Sequence, residues 1–167
     1  MNENIGDERL LLVHMSDMHC GPKLEGNTLQ QAIDEINALD PHIVVVTGDL
    51  TEDGLTTEFQ EAKRYLKQLK CKHVVVGSGN HDSRTTGYLL FPKFFGEPSS
   101  VIVIGDVPLI MLNSSRPDRE DGEIGYNQGL WLTRCLDQHK DKFKIAALHH
   151  HLIPVPDTGM ERNIVSD

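Results

Sequence analysis

Four apolar runs of strand length constrain this chain more than any other feature, because each closes on residues able to bind a metal or move a proton. The runs are Leu10-Leu11-Leu12-Val13, Ile43-Val44-Val45-Val46, Val74-Val75-Val76 and Ile145-Ala146-Ala147-Leu148. They close on Ser16-Asp17-Met18-His19, Gly48-Asp49, Gly79-Asn80-His81-Asp82 and His149-His150. In a wound α/β sheet the carboxyl ends of the strands lie side by side at one edge, where ligands bind. Two Asp, one Asn and several His converging there predict a two-metal centre.

The segments between the runs carry helical patterns. Asn27 or Thr28 can cap a helix reaching Leu39, with Leu29, Ile33 and Ile36 on one face, and Asp40-Pro41 ends it. Thr57-x-x-Gln60 reads as a capping box ahead of Phe59, Ala62, Leu66 and Leu69. Tyr88 to Phe95 reads as a short aromatic helix broken by Pro92 and closed by Gly96. Val101–Ile104 and Leu109–Leu112 form a predicted hairpin around Gly105-Asp106, and a polar loop runs from Asn113 to Gly125. Asn127 to Gln138 is a further predicted helix. Repeated β-α-β units imply a largely parallel sheet with right-handed crossovers, and the hairpin implies a mixed or second sheet. Ile43 to Val46 is apolar at every position, as expected of a strand covered on both faces.

Composition excludes several classes. The 167 residues suffice for one domain with a real core. No stretch is long and apolar enough to span a bilayer, and the polar, acidic segment Met1 to Arg9 does not read as a secretory leader, so the expected location is the cytoplasm. A formal net charge of −9 argues against a broad electrostatic grip on nucleic acid. Lys63 to Lys72 reads as a solvated helix face. Cys20, Cys71 and Cys135 are odd in number and widely spaced, which fits reduced thiols rather than a disulfide framework or a zinc ribbon. Cys20, although beside His19, reads as a small buried filler. His14, His42, His73 and His139 read as structural or surface residues.

Each strand-end segment has its own chemistry. Asp17 and His19, at i and i+2, share a face of the strand end. A carboxylate beside an imidazole suits Mn, Fe, Zn or Ni better than Ca or Mg. Gly48 permits a sharp turn that leaves Asp49 projecting into the crevice. In Gly79-Asn80-His81-Asp82 a neutral amide oxygen can coordinate metal without adding charge. His81 is then free to act on substrate, and Asp82 can hold its imidazole in orientation. Strand alternation sends His149 and His151 one way and His150 the other. Alone, Asp-x-His or Gly-Asp is weak and Asp49 is an ordinary turn residue; four strand ends carrying such residues together are a poor fit to mere packing.

Those motifs, in that order from Leu11 to about Pro154, resemble the calcineurin-like metallophosphoesterase superfamily: D-x-H at Asp17 and His19, G-D at Gly48-Asp49, G-N-H-[DE] at Gly79 to Asp82, and the next histidine at His149. Leu148-His149-His150, Gly122-Glu123-Ile124-Gly125 and Gln128-x-x-Trp131-Leu132 are similar to its cyclic-nucleotide phosphodiesterase branch. The resemblance implies an α/β metallophosphoesterase-type β-sandwich of mixed sheets flanked by helices. It implies two divalent transition-metal ions (Mn, Fe, Zn, Ni or Co). Asp17 and His19 would hold the first, Asp49 would bridge, and Asn80 and His149 would hold the second. His81 and Asp82 are the catalytic candidates, with His150 and Asn80 as substrate contacts. The implied reaction is phosphoester hydrolysis by a metal-activated hydroxide on a small substrate, most simply a cyclic nucleotide or related phosphodiester. The alternative is a degenerate or non-catalytic protein of the same fold that serves as a binding scaffold.

The resemblance also has a gap. The superfamily's final G-H-x-H has no counterpart after His151, where the chain closes on Asp157-Thr158-Gly159-Met160 and Ser166-Asp167. The expectation is one phosphoesterase domain over residues 1–167, truncated at its C-terminus; a naturally short, split or degenerate member would show the same gap. A chain ending here would leave a sheet edge and apolar faces uncovered, which predicts a homo-oligomer or domain exchange.

Overall fold

A computed structural model describes residues 10–153 and the short strand Val165–Ser166. Residues 1–9 and 157–160, on which the leader and chain-end expectations fall, lie outside the described residues. Three strands, β1 (Leu12–Met15), β2 (Ile43–Val46) and β3 (His73–Val76), form a parallel sheet in that order, joined by α1 (Gly26–Leu39) and α2 (Thr56–Leu66). A short 3₁₀ turn, His81–Ser83, then leads into α3 (Gly87–Phe95). The second sheet has the order β4 (Ser100–Ile104), β5 (Val107–Met111) and β7 (Ile145–Ala147), with α4 (Tyr126–Gln138) between the last two. β4 and β5 are the predicted antiparallel hairpin, whereas β5 and β7 run parallel. β6 (Gly122–Glu123) pairs with β8 (Val165–Ser166).

Strand alternation explains the layers. Ile43 and Val45 face one side of β2 and pack with Val75, Ile104, Leu109 and Met111, which is the core between the two sheets. Val44 and Val46 face the other side and meet Ile33 of α1, Phe59 and Ala62 of α2, and Phe91 of α3. On the far side of the second sheet, Ile110 and Leu112 pack against Cys135, Trp131 and Leu132 of α4. The product is a helix–sheet–sheet–helix sandwich, in line with the α/β expectation. No described helix is long and apolar enough to cross a membrane.

Three local expectations are corrected. Helix α1 begins at Gly26 rather than after Asn27 or Thr28, because the Thr28 hydroxyl turns to the Glu25 carboxylate, 3.3 Å away. Helix α2 is opened by Glu58, whose Oε2 accepts the backbone N–H groups of Leu55 and Asp53 at 3.1 and 2.9 Å; this buried carboxylate does what the Thr57–Gln60 pair was expected to do. Pro92 does not break α3, which runs on to Phe95 and is closed by Gly96. Phe91, Phe94 and Phe95 all pack on Phe59, with ring centroids 5.5–6.3 Å apart, and that packing outweighs the hydrogen bond lost at proline.

Candidate metal centre

Beyond the ends of β1 and β2 the two segments keep pairing. Asp17 N–H donates to Gly48 O at 3.0 Å, His19 N–H to Asp49 O at 2.9 Å and Cys20 N–H to Leu50 O at 2.9 Å. Asp17, His19 and Asp49 all adopt left-handed backbone conformations, at φ 57°, 44° and 50°. Such residues cost free energy and gather where surrounding structure enforces them for function. Gly48, at φ 107°, lies so close to Gly79 that a methyl on either would overlap the other strand's loop, at Gly79 N or at Asp49 Oδ1. The two glycines therefore let the second and third strand ends touch.

That contact assembles the site. Oxygen and nitrogen atoms of Asp17, Asp49 and His149 lie within 4.8 Å of one another, and so do those of His19, Asp49 and His81. Asp49, 4% exposed, belongs to both triads. Its Oδ2 is 3.7 Å from His19 Nε2 and 3.5 Å from His149 Nε2. Asn80 Oδ1 sits 2.9 Å from His149 Nε2. These residues line a cavity of about 410 Å³ that His14 and His151 also border. The five expected ligands thus meet in one place, with a grouping that differs in detail: Asp17 joins His149 across Asp49, while His19 joins His81.

The histidines are oriented by groups behind them. His149 Nδ1 is 3.0 Å from the Thr47 carbonyl, which can only accept, so that nitrogen carries the proton. His149 Nε2 then presents a lone pair to Asn80 Oδ1 and Asp49 Oδ2, both of them acceptors. His19 Nδ1 lies 3.1 Å from Glu52 Oε2, leaving Nε2 toward Asp17 and Asp49 at 3.7 Å. Acceptors converging on common points are mutually repulsive unless a cation or a proton lies among them, and this mixed N/O set fits divalent transition metals. The His19 ring beside Asp17 holds that carboxyl below its ordinary range, and Asp17 in turn raises the His19 imidazole.

Other predicted residues sit differently. Asp82 is fully buried. It accepts from Gly79 N–H and Leu50 N–H on Oδ2 and from Thr51 N–H and hydroxyl on Oδ1, at 2.8–3.2 Å. Burial pushes its carboxyl up to about 6, with those donors opposing. The group that meets the His81 ring is instead the Glu52 carbonyl, 2.7 Å from Nδ1, so the orienting role expected of Asp82 falls to Glu52. His150 is 3% exposed, bonded to Ser114 Oγ at 2.7 Å and the Glu120 carbonyl at 3.2 Å. Burial pushes its imidazole down to about 4. Both ring nitrogens are engaged by these partners, while the residue also borders the cavity. Cys20, also fully buried, has its thiol pushed up to about 12 by burial. Four contributors, Thr47, Glu52, Arg84 and Glu120, were not expected from the sequence. Glu52 lies three residues past Asp49, close enough to the motif to be suspected; Glu120, forty residues from Asn80, carries no local signal.

The chain belongs to the calcineurin-like phosphoesterase family, whose model matches residues 10–164. It is similar to the 3',5'-cyclic adenosine monophosphate phosphodiesterase CpdA of Pseudomonas aeruginosa, at 26% identity over 93% of this chain and 60% of that protein. It is similar to a probable glycerophosphodiester phosphodiesterase GpdQ of Arcobacter nitrofigilis, at 28% identity over 84% of this chain and 57% of that protein. The chain therefore spans less than two thirds of the length of these relatives. Among solved structures, a purple acid phosphatase from yellow lupin seeds superposes with a TM-score of 0.63 at 16% identity, covering 85% of this chain and 30% of that one; the likeness is one of fold.

Proposed function

We propose that this chain hydrolyses phosphoester bonds, with a small phosphodiester such as a cyclic nucleotide as substrate and two divalent metal ions as cofactor. The observation that carries the proposal is the pair of candidate ligand triads that share Asp49: Asp17, Asp49 and His149, and His19, Asp49 and His81. Asp17, His19, Asp49, Asn80 and His149 would hold the ions. Such ions neutralise phosphate charge and make water a competent nucleophile at neutral pH. His81, with Nδ1 fixed on the Glu52 carbonyl, offers Nε2 to a phosphate oxygen or, when protonated, supplies a proton to the departing alkoxide. The Thr47 carbonyl fixes the ring orientation of His149, and the Glu52 carboxylate lies 3.1 Å from His19 Nδ1. The named activities of the CpdA and GpdQ relatives support a phosphodiester over a monoester substrate.

The test is hydrolysis of bis(p-nitrophenyl) phosphate and of 3',5'-cyclic AMP by the purified chain, with and without Mn²⁺. Metal-dependent turnover is the expected result. Full metal loading without turnover of either ester would overturn the reading.

A further inference from the structure

The two ends of an asparagine amide are alike in shape and opposite in chemistry: Oδ1 can ligate a cation, and the Nδ2 hydrogens repel one. Asn80 is 2% exposed, with Oδ1 2.9 Å from His149 Nε2, and its Nδ2 donates to Glu120 Oε2 at 2.9 Å. An ionised carboxylate only accepts, so Glu120 selects the amide orientation that turns the oxygen toward the metal ligands. We infer that Glu120 is a positioning residue for the metal centre, acting through the Asn80 amide.

Glu120 is itself held from two sides. Its Oε1 accepts from Arg84 Nη2 at 3.0 Å, and Arg84 Nη1 is anchored on the Glu52 carbonyl at 2.9 Å. Its backbone carbonyl lies 3.2 Å from His150 Nε2, and Ser114 fixes the other nitrogen of that ring. The neighbouring histidines therefore serve opposite ends of one amide: His149 faces Asn80 Oδ1, and His150 secures the loop that meets Nδ2. A group that orients a ligand without touching the ion commonly changes affinity by about 10–100-fold.

This inference rests on the metal-binding reading above, and its test reads binding rather than turnover. The wild-type chain, Glu120→Ala, Glu120→Gln, Asn80→Ala and the Asn80→Ala/Glu120→Ala double variant are titrated with Mn²⁺ by calorimetry, with thermal unfolding as a folding check. Wild type is expected to bind two ions. Glu120→Ala should weaken one of them about 10–100-fold and leave the other within about twofold. Glu120→Gln, whose side-chain carbonyl can still accept from Nδ2, should recover most of the loss. In the Asn80→Ala background Glu120→Ala should add nothing. Glu120→Ala binding both ions as wild type does, Glu120→Gln as weak as Ala, or an equal loss with and without Asn80 would each overturn the inference while leaving two-metal binding intact. A wild-type chain that binds no Mn²⁺ would overturn both.

Discussion

The backbone N–H of His81 donates to Asp49 Oδ1 at 2.9 Å, so the residue shared by both candidate ligand triads also anchors the turn that carries His81, a member of one of them. One carboxylate thus ties the end of β2 to the end of β3. Its second oxygen remains for the histidines at 3.5 and 3.7 Å. Asp49→Asn keeps the shape and one acceptor but removes the charge. Metal-dependent turnover should fall to the metal-free level, and Mn²⁺ affinity should drop by about 100-fold or more, beyond the range of groups behind the ligands. Calorimetry beside the phosphodiesterase assay checks both; an Asp49→Asn variant with wild-type metal affinity would contradict the sharing of this residue.

Gly79 makes that arrangement possible. A methyl group there would overlap Asp49 Oδ1 and the Asp49 backbone nitrogen, atoms that cannot yield without moving the Asp49 side chain. Gly79→Ala should therefore cost about 1–3 kcal/mol of stability and weaken metal binding in the same variant. Urea unfolding and Mn²⁺ titration measure the two effects. A stable Gly79→Ala protein with unchanged metal affinity would mean the loop has more room than the structure shows.

Asp82 predicts the opposite separation. Its two oxygens take four hydrogen bonds from Gly79, Leu50 and Thr51, and none of these partners belongs to the candidate ligand triads. Removing the carboxylate leaves buried donors unsatisfied, at about 1–3 kcal/mol for each stranded group. Asp82→Ala should lower stability by about 3 kcal/mol or more, read by chemical denaturation. Whatever fraction stays folded should bind Mn²⁺ with little change.

Thiol reactivity tests the burial directly. Cys20 is fully buried with its thiol pushed up to about 12, and Cys135 is 6% exposed, whereas Cys71 is half-buried at the entry to β3. A disulfide reagent attacks the thiolate and needs access to it. In the native protein at most one thiol should react between about pH 7 and 9, and all three should react after unfolding. Three fast-reacting thiols in the folded chain would show that the β1–β2 loops are not packed as described.

Much of this was legible in the chain because strand ends and ligand residues coincide. Ile43 to Val46 announced a strand covered on both faces, and Gly79-Asn80-His81-Asp82 announced a site at the next strand's end. The roles of Asp82 and His150 were not legible. A motif gives spacing, but whether a carboxylate faces the crevice or the backbone beneath it depends on the two-glycine contact between distant loops. The α2 start differs for a local reason: the capping carboxylate is Glu58 rather than Gln60, and it takes the N–H groups of Leu55 and Asp53, three and five residues earlier. Glu120 reaches Asn80 from a polar loop whose position is set by His150 and Ser114, and Arg84, just past the 3₁₀ turn, meets Glu120 in turn; no local pattern encodes either contact.

His81 is the residue whose role the geometry divides most sharply. Its ring nitrogens and those of His19, with Asp49, form a candidate ligand set, and its ring stands edge-on to His19 at 4.5 Å between centroids. Yet Nδ1 is committed to the Glu52 carbonyl at 2.7 Å, which orients Nε2 as the single working nitrogen. If that nitrogen serves substrate, His81→Ala should bind two Mn²⁺ ions with near wild-type affinity while kcat falls by about 10²–10⁴-fold, the usual contribution of a positioned acid or base. The loss should be larger for a substrate with a poor leaving group, such as a cyclic nucleotide, than for a nitrophenyl ester, whose leaving oxygen needs no proton. If His81 is a ligand instead, the variant should lose an ion and the two substrates should suffer alike. Metal stoichiometry and the ratio of kcat losses on the two esters therefore decide between a proton donor and a ligand in one set of measurements.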